Sequence, residues 1–143
     1  MQEPPLPTFD LAISGTRAGL TPAQKRALES ALRPAKRLRH GDCVGVDAEA
    51  HQIAKAFGVE VHVHPPVDGK QRAGCEGDVV HAAQAYLKRN RAMVDAADAV
   101  VAFPKSDREE RRGSGTWATI RYARKRNVPL TVVFPDGRQE RTF

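Results

Sequence analysis

Two glycines separated by a serine and followed by a threonine, Gly113-Ser114-Gly115-Thr116, stand between an apolar run (97–103, ADAVVAF) and a helix-like pattern that begins at Trp117. A strand, a glycine turn and a helix start in that order can bind an anion. Glycine lets the backbone turn tightly and come close to a ligand. The unpaired N–H groups of a helix start point outward, and the helix dipole favours negative charge there. Ser114 and Thr116 add hydroxyl donors, or one of them caps the helix. A turn this short is equally well read as a capped helix start with no ligand, so its context decides.

Three further polar clusters follow apolar runs. Ser14-Gly15-Thr16-Arg17 pairs small residues, which allow close approach, with a guanidinium that can grip a phosphate through two hydrogen bonds. His40-Gly41-Asp42-Cys43-Val44-Gly45-Val46-Asp47 is a second glycine loop opening a helix. Asp42 or Asp47 can accept hydrogen bonds from ribose hydroxyls or a base, although Asp47 also reads as an ordinary N-terminal helix acid, worth about 0.3–1 kcal/mol. His64-Pro65-Pro66 leads into a glycine-rich loop carrying Lys70 and Arg72, too long for a minimal connector. In Tyr86-Leu87-Lys88-Arg89-Asn90-Arg91-Ala92-Met93, Met93 reads as core, and Arg89 or Asn90 beside it can point into a cleft.

The elements that must position these clusters alternate. Strands are expected at 8–14, 36–39, 59–63, 98–103 and 129–134, with one more short strand possible at 138–143. Helices are expected from Thr21-Pro22 to about residue 32, at 47–57, over most of 79–96, and at 114–127. This pattern predicts an α/β fold, Rossmann-like and three-layered, with a doubly wound parallel sheet of about five strands. In such sheets ligands sit outside the carboxyl ends of the strands, and every cluster above falls on one of those ends.

The chain has 143 residues, enough for a single domain with a full core; residues 1–7 read as an extended tail and 8–143 as the domain. No run approaches the length of a membrane helix, and the N-terminus lacks the regions of a signal peptide, so a cytoplasmic protein is expected. Cys43 and Cys75 match no zinc-ligand spacing and read as structural or incidental. His62 and His64 share one face of a strand, where solvent or pocket exposure is favoured over metal binding. No metal and no resident cofactor are predicted. The net charge of +6 suits phosphorylated ligands or nucleic acid, though a basic surface is also common without either. The arginines of the last helix, at 121–126, are expected to face water.

Taken together, Ile13-Ser14-Gly15-Thr16-Arg17, the loop from His40 to Asp47, Arg89-Asn90-Arg91-Ala92-Met93-Val94-Asp95, Ala97-Asp98-Ala99-Val100-Val101-Ala102-Phe103-Pro104 and Gly113-Ser114-Gly115-Thr116-Trp117 resemble the SLOG superfamily. This group of Rossmann-like proteins includes the Lonely Guy phosphoribohydrolases and the DNA-processing protein A domain. The resemblance spans about residues 8–137 and is nearest to small bacterial and phage members predicted to bind nucleotides. It implies the sheet order 3-2-1-4-5, a pocket for a nucleotide or nucleotide derivative, and frequent homo-oligomers. The enzyme branch carries Arg-Lys-x-x-Met and then Pro-Gly-Gly-x-Gly-Thr-x-x-Glu. Here Arg89-Asn90-x-x-Met93 has Asn90 in place of the lysine, and Thr119 stands in place of the acid.

The first expectation is therefore a nucleotide-binding protein, with a sensor role as an extension by resemblance, and with phosphate at Gly113 to Thr116 aided by Gly15, Thr16, Arg17, Arg89 and Asn90. Sugar or base would meet Gly41, Asp42, Gly45, Asp47 and His64. Trp117 is read as core rather than as a stacking platform. A nucleotide N-glycoside hydrolase is the alternative, with Arg89 and Asp47 as its catalytic candidates. A DNA-binding module is the third, weakened by the scarcity of aromatics for stacking bases.

Overall fold

A computed structural model describes residues 9–142; the expected tail at 1–7 lies outside the described residues. The chain forms β1 (Asp10–Gly15), α1 (Pro22–Leu32), β2 (Arg37–His40), α2 (Val46–Ala56), β3 (Glu60–Val63), β4 (Val79–Val80), α3 (Tyr86–Ala96), β5 (Ala99–Phe103), α4 (Gly115–Lys125), β6 (Leu130–Val133) and β7 (Gln139–Thr142). One sheet runs β4-β3-β2-β1-β5-β6-β7. All neighbours pair in parallel except β6 and β7. The expected five-strand sheet is thus a seven-strand one. Without the two edge strands its order is β3-β2-β1-β5-β6, which is the 3-2-1-4-5 arrangement.

Local chemistry fixes the element ends. Thr21 closes a capping box with Gln24 and is followed by Pro22 at the first helical position. Gln24 is 1 % exposed, and its amide donates to the carbonyls of Pro104 and Val133, tying α1 to the ends of β5 and β6. The alternating strand residues make two cores. Leu11, Ile13, Leu38, Val61, Val63 and Phe103 pack under α1 and α2. Ala12, Val100, Ala102, Leu130 and Val132 pack under α3 and α4, around Trp117 and Ile120.

Two expectations need correction. The stretch 79–96 is helical only from Tyr86. Val79 and Val80 instead extend the sheet beside His62 and Val63, anchored by Asp78, whose carboxylate accepts the Val61 N–H at 2.8 Å. Two β-branched residues gain more from a sheet edge than from an isolated helical turn. His62 and His64 do share a face, but both are buried rather than exposed. On that face Arg39 pairs with Asp10 at 2.9 Å and meets His64 at 3.1 Å, and the His81 ring stacks on His64 with centroids 4.1 Å apart. Burial, then His81 and Arg39, push His64 down to about 3, so this imidazole is neutral. No helix among the described residues is long and apolar enough to cross a membrane.

Candidate functional site

The exits of β1, β2 and β5 and the faces of α3 and α4 enclose one cleft of about 220 Å³. Its walls include Ser14, Gly15, Thr16 and Arg17 after β1, Gly41, Cys43 and Asp47 after β2, Tyr86, Arg89 and Asn90 on α3, and Gly113 to Trp117 after β5. Four segments far apart in sequence thus converge because the strand order reverses at β1.

The α4 end of the cleft presents several donors, beside one carboxylate, Glu110, which pairs with Lys105 at 3.4 Å. Ser114 is the N-cap, and its hydroxyl accepts the Trp117 N–H at 3.2 Å. The N–H groups of Gly115 and Thr116 have no partner among the described residues. Asn90 lies beside them; a Cβ added at Gly115 would meet its Nδ2 at 3.7 Å. The Asn90 Oδ1 accepts the Arg89 Nε–H at 2.7 Å, which turns Nδ2 outward without a partner on a residue only 9 % exposed.

Arg89 is 3 % exposed and has no carboxylate partner. Its Nη1 donates to the carbonyls of Gly41 and His64, binding the exits of β2 and β3 together, and its guanidinium stacks over Tyr86, 4.9 Å from the ring centre. These acceptors are neutral, so the cation is hydrogen-bonded but its charge is unmatched by any ion pair.

Asp47 faces the cleft from the start of α2. Its Oδ2 accepts the N–H groups of Gly41 at 3.1 Å and Cys43 at 3.2 Å, while Oδ1 has no partner among the described residues. Burial raises this carboxyl to about 6, against the N–H of Cys43, the Arg89 charge and the N–H of Gly41. The Cys43 thiol stands 3.5 Å from the Tyr86 hydroxyl. Cys43 and Tyr86 are cleft residues that the sequence reading left out of the site. Tyr86 had a usable signal, since it precedes Arg89 and Asn90 by one helical turn.

Asp42, Gly45 and His64 do not line the cleft. Asp42, fully buried, accepts the Arg72 Nε–H at 2.6 Å and the Cys75 N–H at 2.8 Å, and its own carbonyl takes the Ala73 N–H. Burial pushes this carboxyl up, but the Cys75 N–H and the Arg72 guanidinium outweigh it and hold it below the ordinary value. Gly45 has φ 92°, and a Cβ there would lie 2.5 Å from the backbone of Arg17. His64 supplies its carbonyl to Arg89 while its ring faces Arg39 and His81. Thr119 also stays out of the cleft wall; its hydroxyl donates to the Gly115 carbonyl at 2.9 Å.

Behind the β2 exit, the nitrogens of His40 and His51 and the sulfur of Cys75 lie within 4.8 Å of one another. The Asp42 N–H donates to His40 Nδ1, which leaves the imidazole proton on Nε2, 3.0 Å from His51 Nδ1. A metal on His40 Nε2 would require the opposite tautomer, with two N–H groups facing each other. Burial also raises the Cys75 thiol to about 12, so no thiolate is ready. The His40–His51 hydrogen bond therefore acts as a pin between the end of β2 and α2.

No protein-family model and no characterised protein matches the sequence. Solved structures do match its fold. The molybdenum cofactor binding protein of Rippkaea orientalis aligns at TM-score 0.68 with 19 % identity, over 89 % of this chain and 77 % of that one. DNA processing protein A of Streptococcus pneumoniae aligns at 0.64 with 18 % identity, over 89 % of this chain and half of that one. The Moco carrier protein of Chlamydomonas reinhardtii aligns at 0.61 with 18 % identity, over 87 % and 75 %. At these identities the likeness is one of fold: the chain shares with these proteins a Rossmann-like α/β fold, in which the strand order turns at β1 and a glycine turn follows β5.

Proposed function

We propose that the cleft binds a phosphorylated small molecule of the nucleotide type, with its phosphate on the N-terminus of α4. The observation that carries this reading is the buried Arg89 cation without an ion-pair partner, standing in the same cleft as the unpartnered Asn90 amide and two unpartnered N–H groups. Asp47 feels the Arg89 charge but makes no ion pair with it, and a buried cation without a direct partner is expensive; an anionic ligand supplies one. The donors at α4 are already oriented for it. Arg17, exposed at the rim, adds a second guanidinium.

One structural neighbour is named a molybdenum cofactor binding protein and another a Moco carrier protein, which supports a small-molecule role for a protein of this fold. A sensor function and a homo-oligomeric state belong to the same proposal. Hydrolysis of an N-glycosidic bond is not favoured, because Thr119, at the position of the family's acid, is turned into its own helix. We expect at most trace release of free base from nucleoside monophosphates.

Titration calorimetry with nucleoside monophosphates and their parent nucleosides tests the reading. Monophosphates should bind and nucleosides should bind far more weakly. Equal affinity for both, or binding of neither, would remove the phosphate from the site.

A further inference from the structure

Cys43 lines the cleft at the exit of β2, half-buried, and takes no part in the phosphate site described above. Its backbone is held on both sides. The Cys43 N–H donates to Asp47 Oδ2 at 3.2 Å, and the Val44 N–H donates to the Gln71 carbonyl. The thiol is thereby set 3.5 Å from the Tyr86 hydroxyl, 3.8 Å from the Gly41 carbonyl and 3.9 Å from Nη2 of Arg89.

The Arg89 contact is the unusual one. Nε of this guanidinium donates to Asn90, and Nη1 donates to the carbonyls of Gly41 and His64. Nη2 meets only the sulfur among the described residues, and a thiol sulfur is a weak acceptor. A cation on a residue 3 % exposed thus aims an underused donor at a thiol that faces the cleft. The Asn90 amide, also buried and unpartnered at Nδ2, opens into the same cleft.

The second cysteine provides a contrast within the chain. Cys75 lies outside the cleft, and burial raises its thiol to about 12. Thiols are oxidised through their anion, and susceptibility follows access and a neighbouring positive charge. Cys43 has both, whereas Cys75 is held protonated.

We propose that Cys43 is a site of reversible oxidation by hydroperoxides, and that its oxidised sulfur takes Arg89 as a partner and closes the cleft to phosphate. The sulfur attacks one oxygen of the hydroperoxide; an S–O bond forms and the O–O bond breaks. The leaving oxygen carries off the electron pair and takes up the thiol proton, so thiol and ROOH give sulfenic acid and ROH. The oxygen on sulfur is an acceptor among donors, Arg89 Nη2 and the Tyr86 O–H. It supplies from within the chain what a ligand phosphate supplies to Arg89, a clause that rests on the phosphate reading. A small thiol reverses the step: it displaces water from the sulfenic acid to give a mixed disulfide, and a second thiol releases Cys43 as a disulfide forms between the two small thiols.

The experiment exposes the wild type, Cys43→Ser and Cys75→Ser to hydrogen peroxide. Sulfenic acid is trapped with dimedone in one sample and located by peptide mass spectrometry. In another, affinity for AMP, GMP, CMP and UMP is measured by calorimetry before peroxide, after it, and after dithiothreitol. Dimedone should mark Cys43 in the wild type and in Cys75→Ser, and should leave Cys75 unmarked. Affinity for the tightest-binding monophosphate should fall about 10-fold or more, as expected when a charged partner is taken, and dithiothreitol should restore it. Peroxide should not change the affinity of Cys43→Ser, whatever value that variant starts from. A saturating monophosphate should in turn slow the marking of Cys43. Absence of the mark, or a mark on Cys75 instead, would overturn the proposal. So would complete oxidation of Cys43 with unchanged affinity, or an equal loss in Cys43→Ser, which would move the effect to another oxidisable residue such as Met93 in the same wall. If no monophosphate binds the reduced wild type, the phosphate reading falls and the closure with it, while the dimedone mark still decides whether Cys43 is the oxidised site.

Discussion

The loop from Gly41 to Asp47 and the turn from Gly113 to Thr116 look alike in sequence: each follows a strand, contains two glycines and opens a helix. Their structures differ in kind. The β2 loop is closed on itself. Asp47 takes two of its N–H groups, Gly45 packs against the backbone of Thr16 and Arg17, and Asp42 is locked by Arg72 and Cys75. The β5 turn is open. Its cap serves Trp117, and the next two N–H groups face the cleft with nothing on them. A glycine loop before a helix is thus a receptive site only when its own side chains leave the donors unused.

That contrast can be broken from either side. Gly45→Ala should act on the fold. Its φ of 92° suits glycine, and the new Cβ has no room against the Arg17 carbonyl. We expect a loss of roughly 2–4 kcal/mol, seen as a fall in melting temperature of roughly 10 °C. Gly115→Val should act on binding instead. Its Cβ has space, since Asn90 Nδ2 at 3.7 Å is its nearest contact, but the branched side chain stands over the anion donors. Affinity for a nucleoside monophosphate should fall about 100-fold by calorimetry, with a melting temperature within about 2 °C of the wild type. If Gly45→Ala melts normally, or Gly115→Val binds normally, the division between closed and open loops is wrong.

Asp47→Asn sharpens the comparison by pH. The folded-state carboxyl is raised to about 6 from an ordinary 3.8, so the folded protein holds that proton more tightly than the unfolded chain. Its contribution to stability therefore falls as pH rises from about 4 to 6, and the ionised form weighs against folding above that window. Asparagine, which cannot ionise, should gain on the wild type by about 1–2 kcal/mol on going from pH 4 to pH 8. Thermal melts at the two pH values read this directly; a difference between variant and wild type that does not change with pH would refute it.

The smallest effect expected is that of Arg72→Ala. The arginine is exposed, and the Cys75 N–H still holds Asp42, so the loss should be about 1 kcal/mol by denaturant titration, with ligand affinity retained. A larger fall in affinity than in stability would mean that the loop carrying Arg72 takes part in binding.

The features legible in the sequence were those set by local chemistry. Thr21-Pro22 and Ser114 announce their helices because caps act within three residues. The parallel sheet and the position of the cleft followed from alternation of elements, whereas the strand order came from the family resemblance. Asp42 and Asp47 were not separable, since what removes Asp42 from the cleft is Arg72 and Cys75, thirty residues downstream. His62 and His64 could be placed on one face, but their burial depends on His81, which sits in a stretch whose apolar spacing mimics a helix. Arg89 and Asn90 were both expected at the cleft, but the hydrogen bond between them, which decides which amide atom faces it, is not legible from spacing.

Trp117 is the single tryptophan of the chain. It is 4 % exposed, its indole N–H has no partner among the described residues, and it forms part of the cleft wall directly after the Gly115 and Thr116 N–H groups. Its emission therefore arises from one known environment and needs no deconvolution. Charge arriving at the α4 terminus changes the electric field across that ring. The protein thus comes with its own optical gauge, and occupancy of the cleft can be followed label-free, in the native chain, by intrinsic fluorescence.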